Sequence, residues 1–286
     1  MEVIRTVAEL RTACDRVRRA KEPIGFVPTM GGLHEGHASL LRRARDEAAV
    51  VVMSLFVNPL QFDDASDLER YPRDERHDLR AAEREGVDFV FVPPVEELFP
   101  GGEPEVTVDP GPLGERFEGA ARPGHFRGVA TVVVVLLDIV GACTVYFGEK
   151  DVQQLAIVRR VVRDLLLPAS IVGCPTVREH DGLARSSRNA LLDPEQRDAA
   201  GCLFLGLSEA AELARSGETD AAVLVAVIAR EVGATSAVRL DQAVIVDEET
   251  FEQVRTLEPD RAHRALVAAQ VGEVRLIDNL LLPSPA

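Results

Sequence analysis

The sequence predicts an α/β protein in which a parallel sheet carries helices on both faces, with a smaller α+β domain at the C-terminal end. Three observations carry that prediction. Five short apolar runs, Ile24–Val27, Val50–Val57, Val87–Val92, Thr144–Phe147 and Ser170–Val172, are rich in β-branched residues. Helical patterns separate them, as expected for strands buried on both faces. After about Asn189 the texture changes to Ala/Leu/Glu-rich helix and then to two more strand-like runs.

In chain order, Val3, Ile4, Val7, Leu10, Cys14 and Val17 fall at helical spacing with charges between them, which predicts an amphipathic helix rather than a signal peptide. The first internal strand leads to a helix over about Gly36–Ala48, with Leu40, Leu41 and Ala44 on one face. Another helix is expected over Asp74–Glu85, stopped by Gly86. Val129–Phe147 is almost free of charge, but Asp138 and Gly141 interrupt it. A buried helix followed by a buried strand fits that run better than a membrane span, which needs about 20 apolar residues. Pro194–Arg215 and Asp220–Val232 read as helices, and Val238–Val246 and Leu266–Ile277 as strands, the latter bent or turned near Gly272. The tail from Leu282 is a Pro-containing frayed end. The expected organisation is a Rossmann-like domain over 1–189 and a smaller α+β lid domain over 190–286.

The 286 residues carry 47 acidic and 32 basic side chains, a formal net charge of −15. Such a field repels polyanions and argues against nucleic acid as a partner. A phosphate-bearing small molecule would need a local cationic pocket. Cys14, Cys143, Cys174 and Cys202 form no CxxC pair and read as buried, inert thiols of a reducing, cytoplasmic compartment.

Ligands of open parallel sheets sit at the carboxyl ends of the strands. Three segments there can do chemistry. Pro28-Thr29-Met30-Gly31-Gly32-Leu33-His34-Glu35-Gly36-His37 joins the first internal strand to its helix. Its glycines allow close backbone approach, and the helix N-terminus offers N–H groups and partial positive charge to a phosphate. His34 and His37, three apart, can face that same point and stabilise charge building on phosphorus. Glu35, one step off those positions, reads as helix-supporting. Gly148-Glu149-Lys150-Asp151 follows the fourth run and offers a compact cation. Arg185-Ser186-Ser187-Arg188-Asn189 sets two hydroxyls beside guanidinium groups, a candidate pyrophosphate clamp.

An HxGH turn early and a basic, Ser-rich loop late match the pattern of the HxGH nucleotidyltransferases. PTMGGLHEGHASL, SLFVNPLQF, YPR, RPGHFRGVATVV, YFGEKDVQQL and GLARSSRNALL, in that order and spacing over residues 24–192, resemble the pantothenate synthetase (pantoate–β-alanine ligase) family. The resemblance implies ATP-dependent condensation of pantoate with β-alanine through a pantoyl adenylate, with Mg2+ accompanying ATP and a homodimer formed through the larger domain. It implies ATP contacts at Met30–His37, Gly148–Asp151, Val177 and Arg185–Arg188, with His37 as the proton donor. Catalytic roles fall to His34, His37, Lys150, Ser186, Ser187 and Arg188. Gln61 resembles a glutamine that contacts pantoate and lies near β-alanine, and Gln154 a second that contacts pantoate; Asn58 belongs to the same wall. Arg185 departs from an often apolar position, and two readings stay open: an added phosphate contact or a solvent-facing side chain.

Overall fold

The computed structural model describes residues 1–62, 68–69, 71 and 73–284; Pro72 of the YPR motif and the last two residues of the tail lie outside them. Packing divides the chain into two compact units, Met1–Glu149 with Gln153–Pro175, and Lys150–Val152 with Thr176–Ala286. The change of texture near Asn189 comes later than this change of packing. Residues 176–189 pack with the second unit because Arg178 pairs with Asp278 and bridges to Ala184.

The first unit is a six-stranded parallel sheet in the order β1-β4-β3-β2-β5-β6. Its strands are β1 Glu2–Ile4, β2 Ile24–Thr29, β3 Val50–Leu55, β4 Phe89–Phe91, β5 Cys143–Gly148 and β6 Ala169–Cys174. Its longer helices are α1 Val7–Arg19, α2 Glu35–Glu47, α3 Glu75–Arg84, α4 His125–Val140 and α5 Val152–Asp164. Two separate cores form. One gathers Phe26, Val52, Phe91, Leu137, Val145 and Leu155; the other gathers Val27, Leu41, Met53, Val90 and Tyr146. Adjacent residues of β2, β3, β4 and β5 fall in opposite cores, which is why these strands read as continuous apolar runs. Each fully buried Leu, Val or Phe contributes roughly 1.5–3 kcal/mol.

The expected N-terminal helix requires correction. Glu2–Ile4 is a strand parallel to β4, and the helix starts only at Val7, because Thr6 and Glu9 form a capping box across its first turn. Asp138 projects from α4 to pair with Arg11, and Gly141 ends that helix at φ 75°. Among the described residues no helix is long and apolar enough to cross a membrane.

Winding proceeds from β2 outward through β3 and β4 on one side and through β5 and β6 on the other, so it reverses at β2/β5. The β2–β3 ladder runs to Thr29/Leu55, but the β2–β5 ladder ends at Phe26/Val145. Thr29 gives its carbonyl to Phe56 on the β3 side. By strand alternation the nitrogen of Pro28 therefore faces the β5 side, where pairing has ceased and a residue without an N–H leaves no donor unmet.

The second unit is an antiparallel sheet β7-β8-β9, of strands Val238–Asp247, His263–Val271 and Val274–Leu282. Gly272, at φ 58°, turns β8 into β9, so the expected Leu266–Ile277 strand is a hairpin. The expected Pro194–Arg215 helix is two: a short Pro194–Ala199 and α6 Cys202–Arg215. With α7 Ala221–Gly233 it buries Leu203, Leu207, Leu224 and Ile228 on Ala265, Val267 and Ala269.

All four thiols are buried, and burial pushes Cys14 up to about 11 and Cys143 to about 12 from a usual 9.0. Native protein at pH 8 should label negligibly with a thiol reagent and label four sites in denaturant; rapid native labelling would contradict the burial. The folded state holds these protons where the unfolded state releases them. The thiol contribution to stability is therefore whole below the unfolded value and is lost as pH climbs through the raised ones.

Candidate active site

The turn after β2 is held from behind. Asp78 of α3, 3% exposed, accepts the backbone N–H of Gly32 at 2.9 Å and of Leu33 at 2.8 Å. Gly31 and Gly32 have φ of 88° and 62°, and a Cβ at Gly31 would lie 2.8 Å from Asp78 Oδ2. Both glycines are thus required by backbone conformation, and the first also by the carboxylate. Thr29 ties the turn to β3 by donating to the Ser54 carbonyl at 2.7 Å.

The helix that follows is capped by its own histidines. His34, the N-cap, accepts the Gly36 N–H on Nδ1 at 3.1 Å, and His37 Nδ1 accepts the His34 N–H at 3.3 Å. The rings stack with centroids 4.2 Å apart. This corrects the expectation of open amides. The N–H groups of Gly32, Leu33, His34 and Gly36 are taken by side chains. With Nδ1 accepting, the hydrogen bonds assign the proton of each neutral ring to Nε2. The middle glycine of HxGH is explained too, because a Cβ at Gly36 would meet His34 Cε1 at 2.8 Å. Glu35 is exposed and paired with Arg42 of the same helix.

Past β3, Asn58 donates to Gln61 Oε1 at 3.1 Å and to the Gly128 carbonyl at 3.1 Å. Gln61 is 7% exposed. Its backbone carbonyl accepts His125 Nδ1 at 2.9 Å and Arg122 at 3.2 Å. A carbonyl only accepts, so His125 carries a proton on Nδ1. A Cβ at Gly128 would lie 2.1 Å from the Leu60 carbonyl, so α4 packs on the 59–61 turn only through glycine. Residues of the RPGHFRG motif, to which the sequence alone assigns no role, form the support of Gln61.

At the end of β5, Gly148 and Glu149 belong to the first unit, which resumes at Gln153. The paired glutamines divide their tasks. Gln153 is buried, donates to the carbonyls of Leu113 and Arg116 and accepts the Glu118 N–H, so it pins the 113–118 segment. Gln154, beside it on α5, is half-buried. The expected sites Met30–His37, Gln61, Gly148, Glu149 and Gln154 thus belong to the first unit, on segments following β2, β3 and β5, whose carboxyl ends share one edge of the sheet.

Lys150, Asp151, Val177 and Arg185–Arg188 belong to the second unit. Lys150 Nζ lies 3.2 Å from Asp151, the lysine much the less exposed of the pair. Ser186 caps the turn Ser187–Leu191 by accepting the Arg188 N–H at 3.2 Å, and its hydroxyl keeps a proton to donate. Arg185 pairs with Glu179 at 2.9 Å, and its N–H bonds to the Val177 carbonyl. Its charge is therefore met by Glu179 within the 177–185 turn.

The family described as pantoate-beta-alanine ligase matches residues 2–281. Pantothenate synthetase of Rubrobacter xylanophilus is 48% identical over 287 residues, covering 98% of each chain, and that of Thermotoga petrophila is 48% identical over 99% of this chain and 100% of its own. The crystal structure of pantothenate synthetase from Thermus thermophilus superposes with a TM-score of 0.91 at 47% identity, covering 99% of this chain and 100% of that one. Pantoate-beta-alanine ligase from Francisella tularensis, complexed with beta-gamma ATP and beta-alanine, gives 0.80 at 31% identity over 98% and 97% of the two chains. The chain belongs to the pantoate–β-alanine ligase family.

Gly128→Ala should destabilise the protein by about 1–3 kcal/mol, the usual cost of overpacking. Thermal unfolding checks this; an unchanged Tm would refute the packing argument.

Proposed function

We propose that this chain condenses (R)-pantoate with β-alanine to pantothenate at the expense of ATP, releasing AMP and pyrophosphate through a pantoyl adenylate. One observation supports this above the others. The imidazole-capped turn stands at the reversal of the sheet, in a chain of the pantoate–β-alanine ligase family.

In the first step the pantoate carboxylate attacks the α-phosphorus of ATP, and the P–O bond to pyrophosphate breaks. Gln61 and Gln154 orient pantoate, since an amide both donates and accepts and so suits its hydroxyls and carboxylate. His34 and His37 present Nε2–H to the phosphate oxygens, with His37 the proton donor. Lys150, Ser186, Ser187 and Arg188 stabilise the charge that moves onto pyrophosphate, the kind of positioning and electrostatics on which phosphoryl chemistry depends. Met30–Leu33, Glu35, Gly36, Gly148, Glu149, Asp151, Val177 and Arg185 line the nucleotide. In the second step the β-alanine amine, near Gln61, attacks the pantoyl carbonyl and AMP leaves. The C-terminal residues from about 190 act as a lid that keeps water from the anhydride.

Mg2+ enters on ATP as part of the substrate. Among the described residues no three His, Cys, Asp or Glu side chains are grouped to hold a metal ion, and Mg2+ is commonly held by substrate phosphates with few protein ligands. The enzyme is proposed to act in the cytoplasm as a homodimer.

AMP release should require both acids, and pantoate alone should support exchange of pyrophosphate into ATP, lost in His37→Ala. ATP binding without any effect of either acid would overturn the assignment. The amine of β-alanine must be deprotonated to attack, so the rate should fall as pH drops from neutrality. A profile flat down to about pH 5 would rule out that dependence.

A further inference from the structure

The second unit contains a buried polar network that the mechanism above does not use. Asp278 and Asn279 on β9 are each 3% exposed. Asn279 donates Nδ2 to the backbone carbonyl of Lys150 at 2.9 Å, across 129 positions of sequence. Its Oδ1 accepts from Arg264 of β8 at 2.6 Å. A guanidinium only donates, so Arg264 dictates which end of the amide faces Lys150. Glu248 holds Arg264 in turn, with contacts of 2.6 and 3.0 Å. Beside it, Asp278 takes Arg178 in a two-point pair at 2.6 and 3.0 Å, and Arg178 also donates to the Asn279 carbonyl at 3.1 Å. Arg178 follows Val177 and opens the turn that leads to Arg185–Arg188.

Stability alone does not account for these residues. Apolar side chains of similar volume would hold β8 to β9 at least as well, because buried ion pairs repay little beyond their desolvation. What apolar residues cannot do is fix a backbone carbonyl. Two cation-bearing segments of the second unit, at Lys150 and at 178–188, are both tied to one dipeptide of β9.

We propose that Asn279 is a positioning residue for Lys150: its amide, oriented by Arg264, fixes the lysine's backbone so that the ammonium meets the polyphosphate in a set place. The proposal rests on the reading of Lys150 as a phosphate contact. Asn279→Asp keeps the shape and the bond from Arg264 but sets a carboxylate oxygen against the Lys150 carbonyl. Pantoate-dependent pyrophosphate exchange should fall about 10- to 100-fold, the scale of small misplacements in an active site, with KM for pantoate unchanged and the folded fraction preserved. Asn279→Ala, which removes the donor without adding charge, serves if the aspartate variant does not fold, and should lose less.

The deciding measurement is a double-mutant cycle with Lys150→Ala, read by exchange and by calorimetric affinity for ATP. If Asn279 acts through Lys150, the double variant loses little beyond Lys150→Ala alone. Additive losses, or normal exchange in Asn279→Asp while Lys150→Ala is crippled, would overturn this proposal and leave the reading of Lys150 standing. An unimpaired Lys150→Ala would remove that reading, and the proposal with it.

Discussion

Two hydrogen bonds to one buried carboxylate hold the first half of the site in place. Asp78 receives the N–H groups of Gly32 and Leu33, and these bonds set where the chain leaves β2 and where α2 starts. The start of α2 fixes His34 as its cap, His34 fixes the ring of His37 through the shared backbone, and the pair then has its tautomers decided before any ligand arrives. Each bond to a charged acceptor is worth about 1.5–3 kcal/mol net, and a buried carboxylate left unmet would cost more.

The same economy of backbone contacts recurs at the other elements. Gln61 is secured through its carbonyl by Arg122 and His125, and Lys150 through its carbonyl by Asn279. In both cases a side chain distant in sequence holds the main chain, so the position of the backbone does not depend on the contacts of the residue's own side chain.

Much of this was readable in the sequence, and the misses have identifiable causes. The buried strands were legible because continuous β-branched runs have few other uses, and the HxGH turn because its spacing has a geometric meaning. The short β1 was hidden because Val3 and Ile4 continue the apolar spacing of α1, although Thr6 and Glu9 carried a readable helix-start signal. Asp78, Arg122, His125, Gly128 and Asn279 could not be assigned from local pattern. Their partners lie 45 to 129 positions away, so their roles come into being only when the chain folds. Arg185 is the converse case: its partner Glu179 sits only six positions upstream, but nothing local foretold the turn that pairs them.

The parting of β2 from β5 has a consequence for how such a crevice can exist at all. A sheet gains by zipping every strand to its neighbour, so an open seam in its middle would ordinarily be expected to close. Here the strand that borders the seam carries an imino acid at the point of separation, on the side that looks across it. With no N–H at Pro28, the ladder has no donor to extend it past Phe26 on that side.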